Sequence, residues 1–386
     1  GDMSDKPRVL VVYGTRPEAI KVAPVILALR DSALQGLTLT TGQHPQMVQQ
    51  VNQVFGITAD YSIDVMRPGQ SLNALAARVL EGLDQKLQQI QPDAVLVQGD
   101  TTTVMAAALA AFNRGVKVAH LEAGLRSGNL QLPFPEEATR RLAGQVTSLH
   151  LAPTAGAKTN LLLENVDPAL VAVTGNTVID ALRFVIDSGQ AGAGLDPVFT
   201  QALSRPGLKV LVTVHRRESW GEPMRQMARA IAQVAADHPE VTFLLPAHAN
   251  PEVRATLTQT LSAQSNVVIG DPQPYAPFAG LLRACDLVLT DSGGIQEEAP
   301  ALGKPVLVMR DTTERPEAIE AGTVRLIGTT YDRVHAALQE LVTSPPARER
   351  MAHAVNPYGD GRAAARVVAA LEELLGVGRR LEDFQA

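Results

Sequence analysis

The chain of 386 residues contains a single cysteine, Cys285, which excludes an internal disulfide framework and a cysteine-based zinc site. It also lacks an apolar run of the ~20 residues that a membrane-spanning helix needs, and no targeting segment is visible. Acidic residues outnumber basic ones, 40 to 34, which argues against a general nucleic-acid binder but leaves room for a local cationic pocket. We therefore expect a soluble, cytoplasmic protein without a membrane or nucleic-acid partner.

Short β-branched runs alternate along the chain with alanine- and leucine-rich helical stretches, which predicts an α/β protein with parallel sheets covered on both faces. Strands are predicted in the first half at Val9–Tyr13, Leu37–Thr41, Ala94–Val97, Val116–Ala119, Leu149–Ala152 and Val171–Val173. In the second half they are predicted at Lys209–Val214, Val241–Leu245, Asn266–Ile269, Leu287–Thr290, Pro305–Val308 and Val324–Ile327. The Gly/Ala/Pro-bearing stretch Ser188–Gly207 separates the two sets and suits a connection between two domains.

The segment Asp291–Arg315 is the most informative in the chain. It joins an apolar strand to a helix through Gly293 and Gly294, and a helix that starts there aims free N–H groups at an anion. Glu298, on the first turn of the helix, is suited to accept the hydroxyls of a ribose. The same residues also fit an ordinary strand-turn-helix corner with Ser292 as N-cap, and the turn alone leaves both interpretations open.

Basic side chains directly follow the first predicted strand of each half. Arg16 and Lys21 lie beside a helix N-terminus, where their charges oppose the helix dipole unless an anion lies between them. His215 and Arg216 follow the first strand of the second half and suit a diphosphate. Solvated surface charges are the alternative interpretation for these residues.

Three carboxylates occupy comparable places in the first half. Asp100 and Glu122 follow predicted strands, and Glu136 begins a predicted helix. Each alone fits a helix cap or a first-turn acid. Together they are able to line one crevice and shift one another's pKa toward acid-base use. The histidines show no metal-site spacing, so no metal is expected.

Several motifs carry a resemblance to a known family. They are Tyr13–Lys21 (YGTRPEAIK), Gly99–Thr103 (GDTTT), Glu122–Arg126 (EAGLR), Pro135–Glu137 (PEE), Thr174–Thr177 (TGNT), His215–Glu218 (HRRE), Asp291–Pro300 (DSGGIQEEAP) and Asn356–Gly361 (NPYGDG). In this order, over almost the whole chain, they resemble the bacterial non-hydrolysing UDP-N-acetylglucosamine 2-epimerases.

The resemblance implies the glycosyltransferase-B architecture, with two Rossmann-like domains that face a cleft. The first would span residues 1–177, together with a C-terminal helix at about 366–386 that packs back on it, and the second would span residues 178–365. Within that helix, Arg366–Leu375 fits best. A homodimer is also implied.

The implied reaction interconverts UDP-N-acetylglucosamine and UDP-N-acetylmannosamine without NAD, metal or any other cofactor. UDP is eliminated to leave 2-acetamidoglucal and is then added back with the opposite configuration at C2. This isomerase would supply N-acetylmannosamine for cell-surface polysaccharide. Removing the C2 proton needs a carboxylate base, and expelling UDP needs cationic stabilisation of the diphosphate.

The resemblance also assigns site residues. The catalytic set is Asp100, Glu122, Glu136 and His215. The substrate-binding set is Arg16, Lys21, Gln273, Phe278, Ser292, Gly293, Gly294, Glu298 and Arg315.

Some family members carry an allosteric UDP-N-acetylglucosamine site, and five positions here match it. They are Gln43, Gln46, Glu136, Arg216 and His248. An arginine of those members is replaced by Gly69, and Arg67 is offset by two positions, so a charge-assisted phosphate contact is lost. We expect weaker or altered allostery.

Two other functions fit the same architecture. One is a glycosyltransferase or a hydrolysing epimerase, which needs an acceptor or an activated water. The other is a nucleotide-sugar sensor that binds without reacting. The three carboxylates count against both.

Overall fold

The computed structural model describes residues 5–313 and 315–386. The chain divides into two compact units. Unit 1 comprises Gly1–Arg183 and Tyr358–Ala386, and unit 2 comprises Phe184–Pro357. The boundary between the two units lies within the helix Thr177–Asp187. The boundary predicted from the sequence, after residue 177, lies at the first residue of the same helix.

Unit 1 contains a parallel sheet of seven strands in the order β3-β2-β1-β4-β5-β6-β7. These strands are β1 (Arg8–Tyr13), β2 (Gln35–Thr40), β3 (Tyr61–Ser62), β4 (Ala94–Gln98), β5 (Lys117–Leu121), β6 (Leu149–Ala152) and β7 (Val171–Val173). Unit 2 contains a parallel sheet of six strands in the order β10-β9-β8-β11-β12-β13. These are β8 (Lys209–Thr213), β9 (Thr242–Pro246), β10 (Val267–Gly270), β11 (Leu287–Thr290), β12 (Val306–Val308) and β13 (Val324–Leu326).

Helices follow most of the strands and cover the sheets. In chain order they are α1 (Arg16–Leu29), α2 (Pro45–Phe55), α3 (Leu72–Ile90), α4 (Thr102–Asn113), α5 (Glu136–Gln145), α6 (Ala155–Leu163), α7 (Thr177–Asp187), α8 (Pro197–Leu203), α9 (Glu222–Asp237), α10 (Pro251–Leu261), α11 (Tyr275–Ala284), α12 (Ile295–Ala301), α13 (Pro316–Ala321), α14 (Tyr331–Thr343), α15 (Pro345–Ala352) and α16 (Ala363–Leu374). Short 3₁₀ turns occur at Pro168–Leu170 and Arg217–Ser219. Within the described residues no helix is both long and apolar enough to cross a bilayer.

The central strands each contain a continuous apolar run because both faces of each sheet are covered. β4 and β8 are buried at every position, and most of β1 is buried as well. This burial explains why a continuous apolar run, rather than an alternating one, predicts these strands. All twelve predicted strands are present, with ends displaced by at most two residues.

The C-terminal helix packs on unit 1, as predicted. The Asp180 carboxylate accepts hydrogen bonds from the backbone N–H groups of Ala363 and Ala364, at 3.2 and 2.9 Å, and so caps α16. α16 spans Ala363–Leu374, close to the predicted Arg366–Leu375, whereas the wider extent to residue 386 is wrong. The tail beyond it lies along the edge of the sheet, where the Phe384 N–H donates to the Val173 carbonyl at 2.8 Å.

The strand order of each sheet reverses beside its first strand. The reversal lies between β1 and β4 in unit 1 and between β8 and β11 in unit 2. Open α/β sheets bind ligands outside the carboxyl ends of the strands at such a point. The loops that follow these four strands are therefore the places to look for functional residues.

Candidate active site

Glu122 is the most heavily bonded of the predicted carboxylates. Lys21 Nζ lies 3.0 and 2.7 Å from its two carboxylate oxygens, Asn176 Nδ2 donates to Oε2 at 2.8 Å, and Gln98 Nε2 donates to Oε1 at 3.4 Å. The Lys21 and Glu122 side chains are only 12% and 10% exposed. Three elements of unit 1 therefore hold this carboxylate in one orientation.

The turn that carries Glu122 depends on a glycine. Glu122 has a φ of 64° and Gly124 has a φ of 92°, the left-handed region that L side chains rarely adopt. A Cβ on Gly124 would lie 2.3 Å from the Ala157 carbonyl oxygen. Arg126, two residues on, is paired with both Glu164 oxygens at 2.7 and 3.0 Å and so serves the fold.

Asp100 follows β4 at the reversal of strand order in unit 1. Arg140 Nη1 donates to its Oδ2 at 3.3 Å. Burial raises the pKa of Asp100, and the negative charges of Glu122 and Glu136 add to this, while the cations Arg140 and Lys21 oppose it. The charges of Glu122, Glu136, Arg140 and Lys21 thus all act on Asp100.

The neighbouring acids Glu136 and Glu137 have different roles. The Glu137 carboxylate is fully buried and accepts hydrogen bonds from the backbone of Ser127 and Gly128, both at 3.0 Å, and from Arg140 Nε at 2.8 Å. Burial acts to raise the pKa of Glu137, but these hydrogen bonds lower it overall. Glu137 therefore anchors the preceding loop. Glu136, at the first position of α5, is partly exposed.

Glu18 is a buried acid that the sequence did not predict as a site residue. Its carboxylate accepts hydrogen bonds from the Gly14 N–H at 3.1 Å, the Thr15 hydroxyl at 2.7 Å and the Thr101 hydroxyl at 3.5 Å. Burial raises the pKa of Glu18 to about 7, and the charge of Asp100 contributes. The Thr-x-x-Glu spacing of Thr15 and Glu18 is a capping-box signature that marks this position in the sequence.

His120 is a second buried titratable group near Asp100 that the sequence analysis did not select. Its Nε2 lies 2.7 Å from the Gly99 carbonyl oxygen. Burial lowers the pKa of His120 to about 4, so the ring is neutral near pH 7. It supports the loop that carries Asp100.

In unit 2, the loops after β8 and β11 are joined by a fully buried carboxylate, Asp291. It accepts hydrogen bonds from the His215 N–H at 2.9 Å, the Arg216 N–H at 3.0 Å and the Ser219 hydroxyl at 2.9 Å. Asp291 therefore orders the basic loop. The His215 side chain is exposed beyond it.

The turn after β11 packs against Arg315. The Arg315 Nε donates to Glu297 Oε1 at 2.7 Å, and a Cβ on Gly293 would lie 2.6 Å from Arg315 Nη1. The interpretation of Ser292 as N-cap is wrong, because Gly294 occupies that position and α12 begins at Ile295. The turn therefore needs glycine for space beside a guanidinium.

Three further residues of the predicted UDP set lie in unit 2. Glu298 is in the first turn of α12 and partly exposed, as predicted, and Phe278 is a partly buried residue of α11. The Gln273 amide is bonded within the unit, because Oε1 accepts from the Asp196 N–H at 3.1 Å and Nε2 donates to the Asp271 carbonyl at 2.9 Å. Gln273 therefore shapes its loop with its side chain.

Arg16 and the first-half residues of the predicted allosteric set all lie in unit 1. Arg16 begins α1 and is partly exposed. Gln43 Oε1 accepts from the Thr103 hydroxyl at 3.0 Å, and Gln46 is an exposed residue of α2. Gly69 has a φ of 65°, and the offset Arg67 binds the Met66 carbonyl at 2.8 Å.

The remaining residues of that set lie in unit 2. Arg216 Nε donates to Glu218 Oε2 at 3.2 Å. His248 Nδ1 accepts from the Asn250 N–H at 3.0 Å, and its ring contacts Trp220 edge-on with centroids 5.7 Å apart. Both side chains are partly buried. Across the described parts of the chain, no group of three or more His, Cys, Asp or Glu side chains is placed to hold a metal ion.

Both units are parallel, doubly wound α/β domains. One carries a cluster of carboxylates, and the other carries a basic loop and a glycine turn. Together these features define a two-domain α/β enzyme. The family model described as UDP-N-acetylglucosamine 2-epimerase matches residues 27–372. The chain therefore belongs to the UDP-N-acetylglucosamine 2-epimerase family, a family of isomerases.

Relatives agree over almost their full length. A UDP-N-acetylglucosamine 2-epimerase of Yersinia pestis is 48% identical over 369 residues, which cover 95% of this chain and 98% of the relative. The crystal structure of the Neisseria meningitidis enzyme bound to UDP-GlcNAc is 44% identical, with a TM-score of 0.87, and covers 96% of this chain and 100% of that one. A complex of S. aureus MnaA with UDP is 38% identical, with a TM-score of 0.90, and covers 98% and 100%. The predicted family, enzyme class and two-domain fold are confirmed.

Proposed function

We propose that this enzyme reversibly epimerises UDP-N-acetylglucosamine at C2 to give UDP-N-acetylmannosamine, through elimination and re-addition of UDP. The observation that carries the proposal is the carboxylate cluster of unit 1, in which Lys21 pairs with Glu122 and Arg140 pairs with Asp100. Glu136 is close enough for its charge to raise the pKa of Asp100. Coupled carboxylates are the groups that acid-base chemistry at a carbon centre requires. The ligands named for the N. meningitidis and S. aureus structures, UDP-GlcNAc and UDP, support the substrate class.

In the proposed reaction a carboxylate of unit 1 accepts the C2 proton as the bond from C1 to the UDP oxygen breaks. The electron pair of the C2–H bond forms the C1–C2 double bond of 2-acetamidoglucal, and UDP departs with the electrons of the C1–O bond. Re-addition reverses these steps and protonates the opposite face of C2. Lys21 orients Glu122 through an ion pair, because its ammonium lies 2.7 Å from the carboxylate.

The UDP-binding role is assigned to the loops of unit 2 together with Arg16. His215 and Arg16 contact the diphosphate in this proposal, and the N–H groups around Gly293 and Gly294 add uncharged donors. Glu298 accepts the ribose hydroxyls. Four further residues contact the same nucleotide or hold the residues that do: Ser292, Gln273, Phe278 and Arg315. The hydrogen bonds that Gln273 and Arg315 make within unit 2 favour the second role for these two residues.

The test is incubation of UDP-N-acetylglucosamine with the protein alone, followed by proton NMR of the products. The proposal predicts an equilibrium mixture with UDP-N-acetylmannosamine and no cofactor requirement. Free N-acetylmannosamine would instead indicate a hydrolysing epimerase. Binding by calorimetry without any new sugar resonance would indicate a sensor, and either result contradicts the proposal.

We further propose that the chain acts as a homodimer. Leu109 and Phe112 on α4 are 37% and 55% exposed, and Leu142 on the adjoining helix α5 is 55% exposed. Apolar side chains on neighbouring helices of one unit suit a self-complementary interface. Light scattering coupled to size exclusion should give twice the chain mass, and Phe112→Asp should give the monomer mass. A monomeric wild-type chain at micromolar concentration would contradict this.

Substrate allostery is proposed to be weak. Gln43, Gln46, Arg216 and His248 are retained, but Gly69 offers no side chain and Arg67 is bonded to its own loop. Rates with UDP-N-acetylmannosamine alone should be hyperbolic. Strict dependence on added UDP-N-acetylglucosamine would contradict this expectation.

A further inference from the structure

Glu18 connects two loops at the point where the strand order of unit 1 reverses. It belongs to α1, whose first residue is Arg16, and its carboxylate binds the Gly14 N–H and the Thr15 hydroxyl of the loop after β1. It also binds the Thr101 hydroxyl of the loop after β4, next to Asp100. The side chain is buried, so these contacts are made away from water. One carboxyl group therefore links the helix that carries Lys21 to the loop that carries Asp100.

The hydrogen bonds of Glu18 differ from those of an ordinary capping box. In that motif the threonine side chain accepts from the helix backbone, whereas here the Thr15 hydroxyl donates to Glu18. The Thr101 hydroxyl oxygen accepts from the Val104 N–H at 3.2 Å, which leaves its proton to donate to Glu18. Donors from both loops thus converge on the carboxylate.

We propose that Glu18 is a positioning residue for the epimerisation reaction: its carboxyl group aligns the two loops at the switch point and sets the charge that Asp100 faces from the interior. The inference rests on the proposed function. Glu18 acts through Asp100 and contacts neither the sugar nor UDP. It is distinct from Glu137, which is neutralised by Arg140 and supports a different loop.

The charged groups around Asp100 come from several elements. Arg140 and Glu136 belong to α5, Lys21 belongs to α1, and Glu122 follows β5. Burial raises the pKa of Glu18 to about 7, so this group changes charge near neutral pH. Below that pH Glu18 is a neutral acid, and above it Glu18 carries a negative charge. This charge adds to those of the other carboxylates and increases the proton affinity of Asp100.

The test compares the pH dependence of epimerisation in the wild-type enzyme and in Glu18→Gln from about pH 5.5 to 8.5. Glutamine keeps the size of the neutral acid and one accepting oxygen but is unable to ionise. The wild-type kcat should show a transition with a midpoint near pH 7, and Glu18→Gln should lack it. The KM for UDP-N-acetylglucosamine should change by less than about threefold, because the substrate contacts remain.

Two more variants complete the design. Glu18→Asp keeps the charge but withdraws it from Gly14 and Thr15, so its transition should remain with a displaced midpoint. Asp180→Asn is the matched control, because Asp180 is also an acid whose pKa burial raises, but it caps α16 instead. The wild-type transition should persist in Asp180→Asn.

A Glu18→Gln enzyme with the wild-type pH profile would overturn the inference, even if its thermal stability were reduced. If Glu18→Gln does not fold, Glu18→Asp decides, and a wild-type midpoint in that variant overturns the inference. A wild-type chain without any epimerisation would instead refute the proposed function, so the two failures are distinguishable.

Discussion

Because Glu18 is buried, its ionisation should change the free energy of unfolding, and this effect is measurable without an activity assay. Its pKa is raised from an ordinary 4.5 to about 7 in the folded chain. The folded state thus holds this proton more tightly than the unfolded state, and the resulting stabilisation is fully present below about pH 4.5 and is lost as the pH rises through 7. The pKa difference of about 2.5 between the folded and unfolded states corresponds, at 1.36 kcal/mol for each pKa unit, to about 3 kcal/mol in the free energy of unfolding.

The glutamine of Glu18→Gln does not ionise, so this variant should not lose stability as the pH rises through 7. The free energy of unfolding of Glu18→Gln minus that of the wild type should increase by about 3 kcal/mol between about pH 4.5 and 8. Far-UV circular dichroism in urea follows the whole chain, whereas the fluorescence of the single tryptophan, Trp220, reports unit 2 alone. Glu81→Gln, at an exposed site on α3, is the control for the loss of one carboxylate from the chain. A pH-independent difference for Glu18→Gln would refute the reasoning.

Two further substitutions test the contacts of the site. Lys21→Met should lower the free energy of unfolding by about 3 to 5 kcal/mol, because it leaves Glu122 buried without its ion pair. Adding Glu122→Gln should restore much of the loss in urea unfolding, and strict additivity would contradict the pairing. Gly293→Ala should weaken UDP binding in calorimetry by about tenfold or more, because its Cβ would lie 2.6 Å from Arg315. Gly294→Ala is the matched control, since its Cβ would lie 3.7 Å from the nearest side-chain atom, and equal losses in both variants would contradict a local clash.

The parallel strands were predictable because burial on both faces demands continuous apolar runs. The run at Ala94–Gln98, for example, is buried at every position. β3 was missed because it comprises only Tyr61 and Ser62, neither of them buried. The helical segment Arg366–Leu375 was predictable to within three residues. Its extension to residue 386 was wrong because the residues after Leu374 run along the edge of the sheet, a contact with β7 that local sequence does not reveal.

The candidate site was only partly predictable for a related reason. Residue type and position after a strand selected Asp100 and Glu122, since those features are local. They did not reveal that Asn176, 54 residues further on, holds Glu122 in place. Glu18 was not predictable as a site residue because its burial and its contact with Thr101 depend on the loop after β4, 83 residues further along the chain.

The most direct test of the central claim is the rate of deuterium incorporation at C2 of UDP-N-acetylglucosamine in heavy water, measured by proton NMR for the wild type and three carboxylate variants. The variants are Asp100→Asn, Glu122→Gln and Glu136→Gln. We expect exchange in the wild type and a loss of at least about 100-fold in each variant, with the Kd for UDP changed by less than about threefold. Wild-type exchange rates in all three variants, or equal losses of exchange and UDP binding, would contradict it.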